Sequence, residues 1–406
     1  MSTLLETTRP QFPALARCHQ GQPVAYFDGP GGTQVPVSVV EAMADYLYHH
    51  NANTHWHYPT SVETDAVITD ARTTLATFLN ASGPHEVCFG QNMSTLTFHV
   101  ARALARTFAP GDEVVDTDLD HHANIDPWRH AARDHGLVVR HAPLDATRTR
   151  VDLDALAGLL GPRTRLVAVG AASNAIGTIT DVREIAARAH AVNALVFVDA
   201  VHYAPHVLVD VQALECDLLA CSAYKFYGPH IGVLWGRHAV LEGLDLPKLQ
   251  PSPAHAPESV ETGTQSHEAM AGAAAAVRFL AGTDAGGFVS REALQARLAA
   301  FHHRGQTLIT RLWEGLQALA HVRCVGLPPD APRTPTVAFT VAGVPSDEVS
   351  RRLGGQGLFV SSGDFYATTL VERLGLAAEG LVRVGCACYT SDEEVERLLD
   401  ALARMA

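Results

Sequence analysis

Between residues 62 and 240 the apolar positions follow two spacings that alternate along the chain. Short runs at 87–89, 113–116, 137–141, 166–169, 195–198, 218–221 and 231–235 are bounded by turn residues and read as strands. Segments at 62–79, 153–160 and 182–191 read as helices, as does a run after 94 that puts Leu96, Val100, Ala103 and Leu104 on one face. Short apolar strands alternating with helices predict an α/β fold with a mostly parallel sheet covered on both faces. Ligands of such sheets bind beyond the carboxyl ends of the strands.

The flanks differ. The first 20 residues predict a loose arm or a single helix. A short strand near Tyr26 runs into a turn holding Gly29, Gly31 and Gly32, three glycines within four residues, which lets backbone approach a neighbour closely. That turn has neither G-x-G-x-x-G nor Walker spacing. A helix is expected over 37–50 and a loop over 49–59. The loop carries His55-Trp56-His57, a surface or interface feature rather than a metal pair, since carboxylates are sparse nearby. Beyond 240 a proline-rich loop at 246–257 precedes a glycine-and-hydroxyl turn at 261–268 and an alanine-rich helix. A long helix over 291–319 follows, then strands at 322–325, 336–341, 358–361 and 381–386, with helices near 346–353 and from Asp392. This texture fits a smaller α+β domain. The expected division is an arm at 1–22, a large domain at 23–285 and a small domain at 286–406, against which the arm packs.

Composition narrows the function. The chain has 406 residues, 47% hydrophobic and 18% charged, with ample material for a large core. A formal net charge of -13 argues against nucleic acid or an anionic membrane surface as main partner. No apolar stretch reaches membrane-span length, and the N-terminus lacks the pattern of a secretory signal. The seven cysteines show neither paired zinc spacing nor a disulfide framework, so reduced residues in a cytoplasmic protein are expected.

Chemically suggestive residues fall at the strand ends. Lys225 stands between two apolar runs, ahead of Gly228-Pro229. Burial there disfavours its ammonium form and prepares the amine to condense with a carbonyl, although a lysine that snorkels out of a hairpin has the same pattern. Asn92 to Thr95 open a helix, which suits either a phosphate site or plain N-capping. Asp199 closes a four-residue apolar strand and needs a partner, which a protonated heterocyclic nitrogen would supply. Arg383, inside a strand, calls for an anion: a substrate carboxylate or a structural salt bridge. The turn at 261–268 offers a second phosphate contact.

Taken in order, the motifs Asp120-His121-His122-Ala123-Asn124-Ile125-Asp126-Pro127-Trp128, Ser173-Asn174-Ala175-Ile176-Gly177-Thr178, Val198-Asp199-Ala200, Ser222-Ala223-Tyr224-Lys225-Phe226-Tyr227-Gly228-Pro229, and Arg383 with Tyr389 to Val395 resemble the pyridoxal-phosphate enzymes of fold type I, in the class V aminotransferase and cysteine desulfurase branch. The resemblance runs from about 24 to 404. It implies a large cofactor-binding domain with a seven-stranded, mostly parallel sheet, and a homodimer with interface active sites acting on an amino acid. It also implies roles. Lys225 would hold the pyridoxal 5'-phosphate aldehyde as an internal aldimine and shuttle the substrate Cα proton. Asp199 would pair with the pyridinium nitrogen, His121 would stack on the ring, and Asn174 would reach the 3-oxygen. Ser94, Ser222 and the Met93 amide would hold the phosphate, joined by Thr264 from the partner subunit. Arg383 would bind the α-carboxylate. No metal is implied.

Five positions depart from the pattern. His202 stands where desulfurases carry glutamine, within reach of the same ring oxygen. Tyr224 replaces a histidine, and Met93-Ser94 replaces a threonine pair. The loop 361–366 has Tyr366 where desulfurases place a persulfide-forming cysteine. The resemblance implies desulfurase-like C–S cleavage, with β-elimination and transamination as the alternatives. A histidine-rich metal hydrolase would need a clustered motif such as H-E-x-x-H, which is missing. A noncatalytic protein would have no use for Lys225, Asp199 and Arg383 together.

Overall fold

The computed structural model describes residues 4–284 and 286–405. Seven strands build the large sheet: β1 Val87–Gly90, β2 Glu113–Thr117, β3 Val138–Ala142, β4 Thr164–Gly170, β5 Leu195–Asp199, β6 Leu218–Ser222 and β7 Gly232–Gly236. Their spatial order is β1-β7-β6-β5-β4-β2-β3. Only β7 runs antiparallel to its neighbours; the other pairs are parallel. The carboxyl ends of β1 to β6 therefore share one edge.

The period of two along each strand splits the core. Val196, Val198, Leu219 and Cys221 pack on one face of the sheet, and Phe197, Leu218 and Ala220 on the other. The edge strand β3 departs from the expected burial on both faces. It has one neighbour only, and its charges meet β2: Arg140 donates to Glu113 at 2.9 Å, and His141 bonds Asp116. Charged side chains on an edge discourage further strand addition.

A second sheet holds β8 Val322–Val325, β9 Thr336–Val341, β10 Ser361–Gly363 and β11 Leu381–Gly385, all antiparallel in the order β8-β9-β11-β10. The helix Arg291–Gln317 lays Leu308, Leu312 and Leu316 on Val337, Phe339, Val382 and Val384. The strand expected at 358–361 divides. Leu358–Phe359 pairs in parallel with Ala25–Tyr26, and Ser361 begins β10. The expected helix over 37–50 also divides, into an α-helix Val37–Asp45 and a single π turn Tyr46–His50. The π turn buries Tyr46, whose hydroxyl contacts Thr64 at 3.2 Å and His267 at 3.1 Å. Trp56, in the loop that follows, is 60% exposed.

The N-terminal arm is neither loose nor one helix. A short helix Leu4–Thr8 leads into two 3-10 turns. Arg9 pairs with Glu394 at 3.0 Å, and Phe12 sits edge-on against Tyr227, Phe279 and Tyr389, with centroids 4.9 to 5.8 Å away. No helix among the described residues is long and apolar enough to cross a membrane.

Because Phe12 is 2% exposed and its ring packs against Tyr227, Phe279 and Tyr389, Phe12→Ala is expected to destabilise the fold by about 3–5 kcal/mol. A lowered urea midpoint in a far-UV circular dichroism titration measures this. An unchanged midpoint means that the arm does not contribute to the core.

Candidate active site

The site follows from what each parallel strand does at its carboxyl end. After β1 the chain turns through Asn92 into the helix Met93–Ala105. Asn92 caps it, accepting from the Thr95 amide at 2.8 Å, so the capping role is real. The same turn also lines the cavity through Asn92, Met93 and Ser94. Gly232 at the start of β7 permits this, since a Cβ there would stand 2.5 Å from the Asn92 carbonyl carbon. After β6, Ser222 accepts from the Met93 amide at 3.1 Å, which joins the two proposed phosphate contacts.

Lys225 follows on a 3-10 turn. Its Nζ donates to the carbonyls of Pro30 and Gly31 and lies 4.8 Å from the Tyr224 ring centroid. The glycine-rich turn that the sequence marked for a close approach is thus the lysine's collar. The amine is pushed down to about 7, chiefly by burial and then by Arg383, against the opposing pull of Asp199 and Asp28. The lysine does not snorkel into solvent.

Asp199 ends β5 and is 8% exposed. Its Oδ1 accepts from the Val201 amide at 2.8 Å. Burial raises its carboxyl to about 6, only partly offset by that amide and Lys225. Such an acid is short of a cation. His121, after β2, accepts from the Ala123 amide at Nδ1 (2.9 Å), so the neutral ring carries its proton on Nε2. Burial, with Lys225, holds it down at about 4. Tyr366 stacks on the ring at 5.5 Å, so any second stacking partner must use the other face.

After β4, Asn174 donates from its side chain to the Phe365 carbonyl at 2.8 Å. Its Oδ1 is buried with no hydrogen-bond partner among the described residues. His202 gives its Nε2 to the hydroxyls of Thr334 (3.0 Å) and Thr336 (3.1 Å), leaving Nδ1 for the cavity it lines. Arg383, on β11, is 4% exposed. It donates to the Asn174 carbonyl at 2.9 Å and sits 4.2 Å from the Phe365 ring centroid. It has no ion pair among the described residues, and its Nε is buried without a partner. Burial lowers its guanidinium to about 10. The structural salt bridge considered from sequence is therefore not what keeps this arginine in the strand.

Asp199, His202, Ser222 and Met93 line an inner cavity, Arg383 lines an outer chamber, and Ser94, His121, Asn174, Tyr224 and Lys225 line both. Thr264 is the exception. It is exposed on its turn and borders a separate cleft on the far side of Asn92.

Sequence reasoning missed several participants. The Pro30 and Gly31 carbonyls hold the lysine, and Thr334 and Thr336 hold His202. Asp120, quoted only within a motif, lines the inner cavity, where burial raises its carboxyl well above the usual range and Asp199 adds to the rise. Phe365 and Tyr366 cover the mouth, both in left-handed backbone conformations at φ 58° and 57°. Two consecutive bulky residues in that region cost about 1–3 kcal/mol each, a strain that clusters at functional sites. No sequence signal marks two aromatic residues for positive φ.

A family model described as aminotransferase class-V matches residues 25–398. The chain is 34% identical to a cysteine desulfurase of Pectobacterium carotovorum, covering 100% of this chain and 98% of that one. It is 33% identical to a probable cysteine desulfurase of Pseudomonas putida, over 97% and 96%. A solved cysteine desulfurase from Thermococcus onnurineus superposes with a TM-score of 0.89 at 28% identity, over 100% and 98% of the two chains. One from Escherichia coli gives 0.86 at 28%, over 98% and 97%.

An amine held near 7 is mostly neutral above that pH, whereas an ordinary lysine remains charged to about 10.4. Covalent capture of an aromatic aldehyde at Lys225, read as a borohydride-reduced adduct by mass spectrometry, should rise through pH 7 and level off well below pH 10. A rise deferred to the ordinary lysine range contradicts the buried geometry.

Proposed function

The chain belongs to the aminotransferase class-V family, and on that premise we propose that it is a pyridoxal-phosphate-dependent enzyme cleaving the C–S bond of a cysteine-type amino acid. One observation carries this reading. Lys225, with its amine lowered to about 7, shares the inner cavity with the buried Asp199 and the outer chamber with Arg383.

The residues suit the cofactor in each part. Asp199, buried and short of a cation, would take the ring nitrogen, and His121 would lie against the ring. Asn174 and His202 would meet the 3-oxygen. The start of the helix Met93–Ala105, with Ser94 and Ser222, would hold the phosphate, where the helix dipole favours an anion. Asn174 Oδ1, buried without a partner, is the kind of atom that a bound group completes. When bound, pyridoxal 5'-phosphate supplies an electron sink for the pair left at the substrate Cα.

The protein does the rest. Arg383 receives the α-carboxylate and sets the register of Cα against the amine. Lys225, neutral near physiological pH, takes the Cα proton and returns it. Asp199 stays ionised once a cation lies beside it, because the Coulomb attraction offsets the desolvation that raised it. Phe365 and Tyr366 restrict water at the mouth.

A specific observation favours elimination over transfer of sulfur to a protein thiol. The loop 361–366 carries no cysteine. Cys386 and Cys388 are buried, and burial pushes both up to about 12, so neither is a ready thiolate.

The proposal takes the working unit as a cytoplasmic homodimer of arm, large domain and small domain. It is supported by the exposure of Thr264 away from its own chain's cavity and of the large rings Tyr48 (80%) and Trp56 (60%).

Lys225→Ala should keep the fold, lose the borohydride-fixable chromophore and lower turnover by at least about 10²–10⁴-fold. A variant that still forms a reducible covalent adduct with the cofactor would falsify the assignment. Arg383→Lys, which keeps the charge but loses the fork, should raise KM by about ten- to a hundredfold, the loss of a charged hydrogen bond of about 1.5–3 kcal/mol. Steady-state kinetics with cysteine, reading sulfide and pyruvate, checks it.

A further inference from the structure

The outer chamber is walled by more aromatic side chains than a thiol needs. Its volume is about 520 Å³, open toward solvent and shared between the amino-acid body of a substrate and its substituent. Phe98, Tyr224, Phe365 and Tyr366 line it around Lys225 and Arg383. The polar pair at its rim, His122 and Asp126, is satisfied internally at 3.1 Å. Phe365 and Tyr366 reach their places through consecutive left-handed residues, which extended backbone would not require. Tyr366 remains 72% exposed at the entrance. No cysteine lines either the inner cavity or the outer chamber.

These facts bear on how sulfur leaves. Where a protein thiol attacks the substrate sulfur, the leaving group is activated by that attack. Here the sulfur must depart carrying its own electron pair. A sulfur bearing an aryl group does so as a stabilised thiolate, and an aryl group is what the chamber walls suit. Aromatic side chains prefer offset or edge-on contact with another ring.

Building on the C–S cleavage reading above, we infer that the substrates are S-substituted cysteines with an aromatic or comparably bulky apolar substituent, split by β-elimination. Lys225 takes the Cα proton. The Cβ–S bond breaks with its pair going to sulfur, and the same proton completes the departing thiol. The 2-aminoacrylate left behind adds water to give pyruvate and ammonium. No oxidant or reductant is consumed. Phe98 and Tyr366 are specificity-determining residues that contact the substituent.

The test uses the cofactor-loaded protein. First, kcat/KM is compared for S-phenyl-L-cysteine and L-cysteine, reading thiol and pyruvate. The aryl substrate should be preferred by about tenfold or more, with thiol and pyruvate in equal amounts, as burial of a ring predicts. Second, calorimetry compares L-homophenylalanine with L-2-aminobutyrate, isosteres without a leaving group; the aryl isostere should bind about tenfold tighter. Third, Tyr366→Ala, at an exposed position, should narrow both ratios. Equal or better turnover of cysteine with no binding preference overturns the inference and leaves C–S cleavage standing. Sulfur recovered as a persulfide without pyruvate does the same. Failure to cleave either substrate, with cofactor bound at Lys225, overturns the proposed function itself.

Discussion

A lysine amine lodged against backbone carbonyls at the head of a cavity is the constraint on which the remaining architecture depends. Nζ of the half-buried Lys225 donates to the carbonyls of Pro30 and Gly31 beside the face of Tyr224. Desolvation disfavours the ammonium, and Arg383 adds repulsion. Asp199 and Asp28 pull the other way without winning. The balance leaves a nucleophilic, basic amine at neutral pH, the property that imine chemistry needs. Each partner is displaced from its solution behaviour too. Asp199 is raised, His121 is neutral, and Arg383 is held in a strand with no ion pair among the described residues. A cluster of perturbed groups with unpaired buried atoms is the arrangement that a bound group completes.

That collar couples the two sheets. The turn 28–33 arrives from the strand Ala25–Tyr26, which pairs with Leu358–Phe359 of the small unit. Asp28 then bridges to Gly385 at the end of β11. Any side chain at Gly385 would collide with Pro30, whose Cδ lies 2.2 Å from the ideal Cβ position. Arg383 lies two residues before that contact. The amine at the end of β6 and the guanidinium on β11 are thus held in register by a backbone contact rather than by a salt bridge. The aromatic loop 361–366 hangs from the same sheet and reaches back to His121 and Asn174.

Much of this was legible in the chain. Strand positions in the large sheet follow from short apolar runs, because strands buried on both faces carry no polar alternation to confuse them. The start of the helix after β1 follows from capping chemistry at Asn92. Lys225, Asp199 and Arg383 stood out because a charged group next to an apolar run is costly without a partner, whereas Asn174 was marked by the family resemblance. The readings that failed depended on distant segments. The run at 358–361 looked like one strand, but its halves pair with residues more than 20 positions away on opposite sides. The helix at 37–50 has continuous helical texture, yet a π turn lets Tyr46 reach Thr64 and His267. The arm looked loose because Phe12 finds its partners at 227, 279 and 389.

The sequence by itself determined the alternation of elements, the parallel sheet and the residue types at its active edge, since these follow from local spacing and from the cost of burying charge. Only the tertiary structure decided which of those residues face one another. It set the carbonyl collar on Lys225, the threonine hydroxyls on His202 and the two strained aromatic rings at the mouth. These are contacts between segments tens to hundreds of residues apart, and no local pattern encodes a distance in space.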